Sequence, residues 1–315
     1  MNSFLAVFKR ELKSYFTTPL AYVFLVIFLF FSGYLTFKQG FYEMRQADMR
    51  AFFMNLPLLF VFLVPSTAMR MWAEERKVGS IELLFTLPIT VTQAVLGKFL
   101  AAWAFLGIAL ALTFPMATTV CYLGHPDIGV ILTGYLGSFL MAGGFLAIGC
   151  FFSAMSKNQV IAFVLSVVAC GVLLFAGMPS TMNYLSSFLL IDVVDLDLGS
   201  WLFVVRGLVP NNSLAYFVLL TLGWITTFLV LPGISILIAL YYLLVALYYL
   251  LAFLYWSWGD AILCLLNMME GMSMQIHFDS MQKGLLQFKD LAYFILLILG
   301  WIAASVVVLD ERKAK

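Results

Sequence analysis

Residues 70–88 read RMWAEERKVGSIELLFTLP, and Arg70, Glu74, Glu75, Arg76, Lys77 and Glu82 crowd into them between long runs of Phe, Leu and Val. At helical period Trp72, Glu75, Gly79 and Glu82 fall near one stripe and Ile81, Leu84 and Phe85 near another, so the pattern predicts a helix stopped by Pro88. Such a helix lies along a bilayer surface, its apolar side toward the spans and its carboxylates toward water. A simple topology anchor is the plainer reading, but anchoring needs only Lys and Arg, and the glutamates cancel that effect.

The rest of the chain explains why so charged a segment stands out. Of 315 residues, 64% are hydrophobic and only 10% charged, and the mean hydropathy is +1.04. These values lie outside the soluble range and predict an integral membrane protein. A formal charge of +1 gives no basic field for nucleic acid. Charge-free stretches at 19–37, 51–69, 99–123, 128–152, 159–180, 214–231, 233–257 and 291–309 predict eight spanning helices, since one charge at mid-span costs roughly 2.5–3.5 kcal/mol. The expected fold is an all-α polytopic bundle forming one transmembrane domain over 1–315.

Lys9, Arg10 and Lys13 precede the first span without a small-residue cleavage site after it, which predicts a retained signal anchor. Residues 4–16 alternate apolar and charged positions at helical spacing, which predicts an interfacial amphipathic helix within 1–18, with Arg10, Glu11 and Lys13 on it. With the N-terminus inside, eleven of the basic residues fall on the cytoplasmic side and six outside, and an even number of crossings returns the C-terminus to the cytoplasm. The 70–88 segment then faces the cytoplasm.

Residues 206–225, RGLVPNNSLAYFVLLTLGWI, repeat as KGLLQFKDLAYFILLILGWI at 283–302, ten of the twelve from Leu214 to Ile225 being identical. One helix with its approach loop is present twice, through local duplication or non-natural construction.

Other candidates are weaker. Cys121, Cys150, Cys170 and Cys264 have no C-x-x-C spacing and read as small buried residues. Asp192, Asp195 and Asp197 lack the glycine turn of a calcium loop. His125 and His277 read as outer-loop histidines, and Asn211–Ser213 matches a glycosylation sequon. No catalytic constellation and no metal site is expected. The nearest approach to a phosphate-binding loop, Gly97–Lys98, is followed by Phe99 and has Thr92 where the first glycine belongs. This chain is therefore not expected to bind a nucleotide through such a loop, and no cofactor is expected on it.

The stretch MRMWAEERKVGSIELLFTLPITVTQAVLGKFLAAW at 69–103 resembles the first cytoplasmic loop of ABC-2 type transporter permeases, in which an acidic-basic helix ends in a proline and a Gly-Lys opens the third span. FKRELKSYFTTPLAYVF at 8–24 resembles the family's interfacial helix and first span, and HFDSMQKGLLQFKDLAYF at 277–294 the approach to its last span. The gliding-motility-associated branch is the most similar. The family usually has six spans, so the block at 206–270 is extra, a partly duplicated helical hairpin.

The resemblance implies the permease subunit of an ATP-driven exporter in a bacterial inner membrane. It implies a cytoplasmic ATPase partner and a second permease, as homodimer or heterodimer. It makes 70–98 a coupling loop, with Trp72, Glu74, Glu75, Arg76, Gly79, Glu82 and Pro88 as its working residues. Glu75 and Glu82 would offer charge-assisted bonds to the ATPase. The alternative is a stand-alone secondary carrier or channel, disfavoured because the charge-free spans offer no ionisable group for a coupling ion.

Overall fold

The computed structural model describes residues 3–38, 48–79, 89–176 and 271–313, with isolated positions at 178, 181, 264 and 268. Among these the secondary structure is helical, without strands: α1 Ser3–Thr17, α2 Pro19–Lys38, α3 Arg50–Ala68, α4 Arg70–Val78, α5 Val91–Ala111, α6 Phe114–Leu123, α7 Ile128–Met155, α8 Gln159–Phe175, α9 Met274–Gln282 and α10 Phe288–Lys313. The helices long and apolar enough to cross a membrane are α2, α3, α5 with α6, α7 and α10; α8 is shorter and equally apolar. The protein is an all-α, multi-pass integral membrane protein.

Six of the expected spans coincide with these helices. Those at 214–231 and 233–257, and the first copy of the repeat, lie outside the described residues. The chain forms two compact units, Met1–Met178 with Met272–Lys315, and Pro179–Gly271; the described architecture belongs almost wholly to the first.

Two expectations change in the third span, read from the sequence as 99–123. It starts eight residues earlier, because Thr90 and Gln93 form a reciprocal capping box that fixes the first turn of α5 at Val91. It is also broken: Pro115 lacks an N–H and its ring clashes with the carbonyl four residues back. The chain steps from α5 to α6 at Leu112–Thr113, where the Thr113 hydroxyl donates to the Leu110 carbonyl at 2.6 Å. By contrast α3 runs on through Pro57 and Pro65.

Helix α7 is the spine, packed against α3, α4, α5, α8, α9 and α10. Lipid supplies no hydrophobic drive between helices, so association depends on close packing at small residues. A Cβ on Gly149 would lie 2.4 Å from the Ala68 Cβ, and one on Gly137 3.1 Å from Met281. The first contact brings α3 and α7 nearly backbone to backbone; the second seats α9 on the spine. Met274, Phe278 and Met281 of α9 are fully buried, so a segment with the composition of a loop is part of the core.

The ends of the helices sort into two groups. The end of α3, α4, the start of α5, the end of α7 and α1 meet at one end, called here the α1 end. At the other, Gly284 approaches Val130 at the start of α7 and α10 begins.

Candidate functional site

The charged residues at the α1 end converge on Lys98. The capping box sets α5 in a register that places Lys98 two turns in, facing α1 and α4 and only 4% exposed. Its Nζ donates to Glu75 Oε1 at 2.6 Å and to the Met71 carbonyl at 3.1 Å. It stands 3.6 Å from Glu11 Oε1 and 5.0 Å from the centre of the Trp72 ring. One ammonium thus meets carboxylates from two helices, a carbonyl and an aromatic face, which together replace the water it has lost.

Trp72 ties the same cluster to the spine. It is fully buried, and its indole Nε1 donates to Cys150 Sγ at 3.4 Å. Helix α4 has no side-chain N-cap; instead the backbone N–H groups of Trp72 and Ala73 donate to Ser153 Oγ at 3.0 and 3.2 Å. The Ser153 hydroxyl in turn donates to the Met69 carbonyl at 3.0 Å. A serine of α7 therefore satisfies N–H groups that a helix start leaves unpaired, and pins α4 to the bundle by its first turn.

Helix α1 closes the cluster. Arg10 donates to Glu11 Oε1 at 2.7 Å, the oxygen that also faces Lys98. Tyr15 stacks on Phe105 with ring centres 5.2 Å apart; burial, and secondarily the Glu11 carboxylate, hold its phenol above the ordinary value and keep it neutral. A Cβ at Gly97 would lie 2.9 Å from Val7, so α1 is seated directly on α5.

The sequence-predicted residues therefore part company. Trp72, Glu75 and Glu11 come together around Lys98, a residue the sequence reading had counted as a loop cation outside the spans. Glu74, with Arg70 at 3.9 Å, and Lys77 face outward; Arg76 is half-buried and Lys13 exposed. The stripe of Trp72 and Glu75 does lie on one face, but inward, so the Glu75 carboxylate turns to Lys98 rather than to water. The helix also ends sooner than Pro88: Gly79 adopts a left-handed conformation with φ of 77° and caps α4 at Val78. Glu82 and Pro88 lie outside the described residues.

A second buried polar cluster sits at the opposite end. His277, expected in a loop, belongs to α9, and its Nδ1 lies 2.7 Å from Asp290 Oδ1 in the first turn of α10, where the Asp290 side chain is 1% exposed. The His277 ring stacks on Tyr293 at 4.1 Å, whose hydroxyl donates to the Met272 carbonyl. The expectation that the spanning helices carry no charged group in their packed interior thus fails at two buried positions among the described residues, Lys98 and Asp290. Both escaped a reading based on charge-free runs, because each lies just beyond the run it was used to delimit. The Thr90–Gln93 spacing was the available signal for Lys98; none pointed to His277.

Among the remaining candidates, His125 is exposed, Cys150 and Cys170 are buried, and Cys121 and Cys264 are exposed. The aspartates at 192–197 and the sequon lie outside the described residues, and among those described no group of three or more metal-ligating side chains occurs.

No curated protein matches the chain. Residues 39–191, from the end of the first spanning helix to beyond the fifth, match the family model described as ABC-2 family transporter protein, and over that stretch the chain is similar to the membrane permeases of ABC transporters.

Proposed function

We propose that the chain is the permease subunit of an ATP-driven ABC exporter, in which α4 receives the movement of a separate ATPase and passes it to the spans. The junction at Lys98 carries this reading. A nine-residue helix pinned at its first turn by Ser153 and along its inner face by Trp72 and Glu75 cannot shift without moving α1, α5 and α7. It has the form of a lever whose outer face, with Glu74 and Lys77, is left for a partner. The α1 end is then cytoplasmic, both termini lie inside, and ATP with its Mg belongs to the partner. A second permease completes the pathway in a bacterial inner membrane. The similarity of the 69–103 stretch to the gliding-motility branch supports placing the chain near it.

The test is isolation of the tagged chain from its native membranes in mild detergent. A nucleotide-binding ATPase should come with it, and the double reversal Glu74→Lys/Lys77→Glu should cut its recovery about tenfold, since exposed charges each contribute under ~1 kcal/mol and only the pair gives a clear effect. Unchanged recovery would remove α4 as the contact. The buried His277–Asp290 pair favours a second reading, a stand-alone carrier coupled to protons; a homo-oligomer without any ATPase would support it instead.

A further inference from the structure

Beside the Lys98 junction lies a cavity of about 1020 Å³, at the upper end of the roughly 300–1,000 Å³ range of single-ligand sites. Its wall changes character with depth. At the α1 end it is charged, with Arg10, Arg70 and Lys98 facing Glu11, Glu74 and Glu75. Deeper, the spanning helices line it with Val23, Phe24, Ile27, Phe62, Leu63 and Phe163. Helix α1 buries Val7 while Lys9, Arg10 and Lys13 are exposed, as expected of a helix lying in the interface. The charged rim is therefore at headgroup depth and the apolar wall in hydrocarbon. From Thr18 to Ile27 that wall follows α2 for about 13 Å at ~1.5 Å per residue.

Two observations point to an occupant. Val23 and Phe62 are 53% and 54% exposed although they line a recess, so no other part of the described chain covers them. At the rim, Arg70 Nε is buried without a hydrogen-bond acceptor among the described residues, the Glu74 carboxylate at 3.9 Å being too distant to serve. The charges choose the headgroup. Lys98 is satisfied by Glu75 and Glu11, Arg10 also binds Glu11, and Glu74 is left facing the unmet Arg70 donor, so the rim carries both signs in equal number.

We propose that this cavity holds a phospholipid with a zwitterionic, amine-bearing headgroup. Its phosphate accepts from Arg70, with Arg10 across the rim, its ammonium faces Glu74, and an acyl chain lies along Val23, Ile27 and Phe62. The inference shares Glu74 with the face of α4 assigned to the ATPase but does not need that assignment, and its variants, Val23→Trp and Arg70→Gln, leave Glu74 and Lys77 in place.

Native mass spectrometry of the full chain, after exchange into micelles holding equal amounts of phosphatidylethanolamine and phosphatidylglycerol, tests it. One phosphatidylethanolamine per chain should survive detergent release, at least fivefold over phosphatidylglycerol. Val23→Trp, which fills the apolar recess, should lower that occupancy at least fivefold, and Arg70→Gln, at the half-exposed rim, should erase the preference between the two lipids. Equal retention in Val23→Trp would reduce the lipid to the general annulus and overturn the site. A preference for phosphatidylglycerol, or a preference unchanged in Arg70→Gln, would overturn the headgroup assignment.

Discussion

Lys98 shows how one side chain can decide whether a helix is passive or part of a mechanism. Deep in α5, its charge is tolerable only because Glu75, Glu11, the Met71 carbonyl and the Trp72 ring surround it. Removing one partner of such a pair strands the other, at about 3–5 kcal/mol. Lys98→Met should therefore lower the thermal stability of the detergent-solubilised protein markedly. Lys98→Met/Glu75→Gln should be less damaged than the sum of the two single changes, and a double-mutant cycle on melting curves measures the difference. Strict additivity would mean that the pair is not coupled. The charge itself was plain in the sequence, but its burial was not. Composition rules read Lys as a marker of the water side, and only the capping residues Thr90 and Gln93, ahead of the run of apolar residues starting at 99, reveal that the helix is already under way. His277 was less legible still, because a histidine in a polar-looking segment gains its buried partner from a different helix.

At the scale of elements, spans were legible wherever hydrophobicity alone defines them, as for α2, α3, α7 and α10, and ambiguous wherever local chemistry intervenes. Gly79 cuts the charged helix short, Pro115 splits the third span, and α9, too short and too polar to look like a membrane element, enters the core through Met274, Phe278 and Met281. The glycines of α7 explain how so many helices share one spine, and they yield a paired prediction. Gly149→Val should abolish folded protein, because its Cβ would fall 2.4 Å from the Ala68 Cβ and neither backbone can retreat without separating α3 from α7. Gly171→Ala on α8 has nothing within 4 Å and should leave stability unchanged or raised by up to ~1 kcal/mol, the usual gain over glycine inside a helix. Size-exclusion profiles with melting temperatures in detergent separate the two; equal tolerance would show that α3 and α7 do not pack as closely as this.

For the whole molecule, the question is what the block between α8 and α9 contributes to the first compact unit. Excising one period of the repeat, residues 206–282, removes α9. Met274 and Met281 would then no longer fill the grooves at Gly144 and Gly137, and His277 would no longer meet Asp290, whose carboxylate would be left buried alone. Such a deletion should give degraded or aggregated protein. A cut that respects the unit boundary should behave differently. The Ser273 hydroxyl lies 3.4 Å from the Leu174 carbonyl, so the chain leaves and re-enters the first unit at nearly one point, and a flexible loop of a few residues can bridge it at small entropic cost. Replacing Pro179–Gly271 by a short Gly/Ser linker should therefore leave α1–α10 folded. The spans read from the sequence within the block are 214–231 and 233–257, a pair, so their removal leaves unchanged the parity on which the proposed placement of both termini depends. Cysteine labelling at Lys77 and at Asp127 reads the outcome: the two should remain on opposite faces in the linker variant as in the full chain. If instead the linker variant fails to insert while the 206–282 deletion folds, α9 is dispensable and the block is the part of the protein that holds the bundle together.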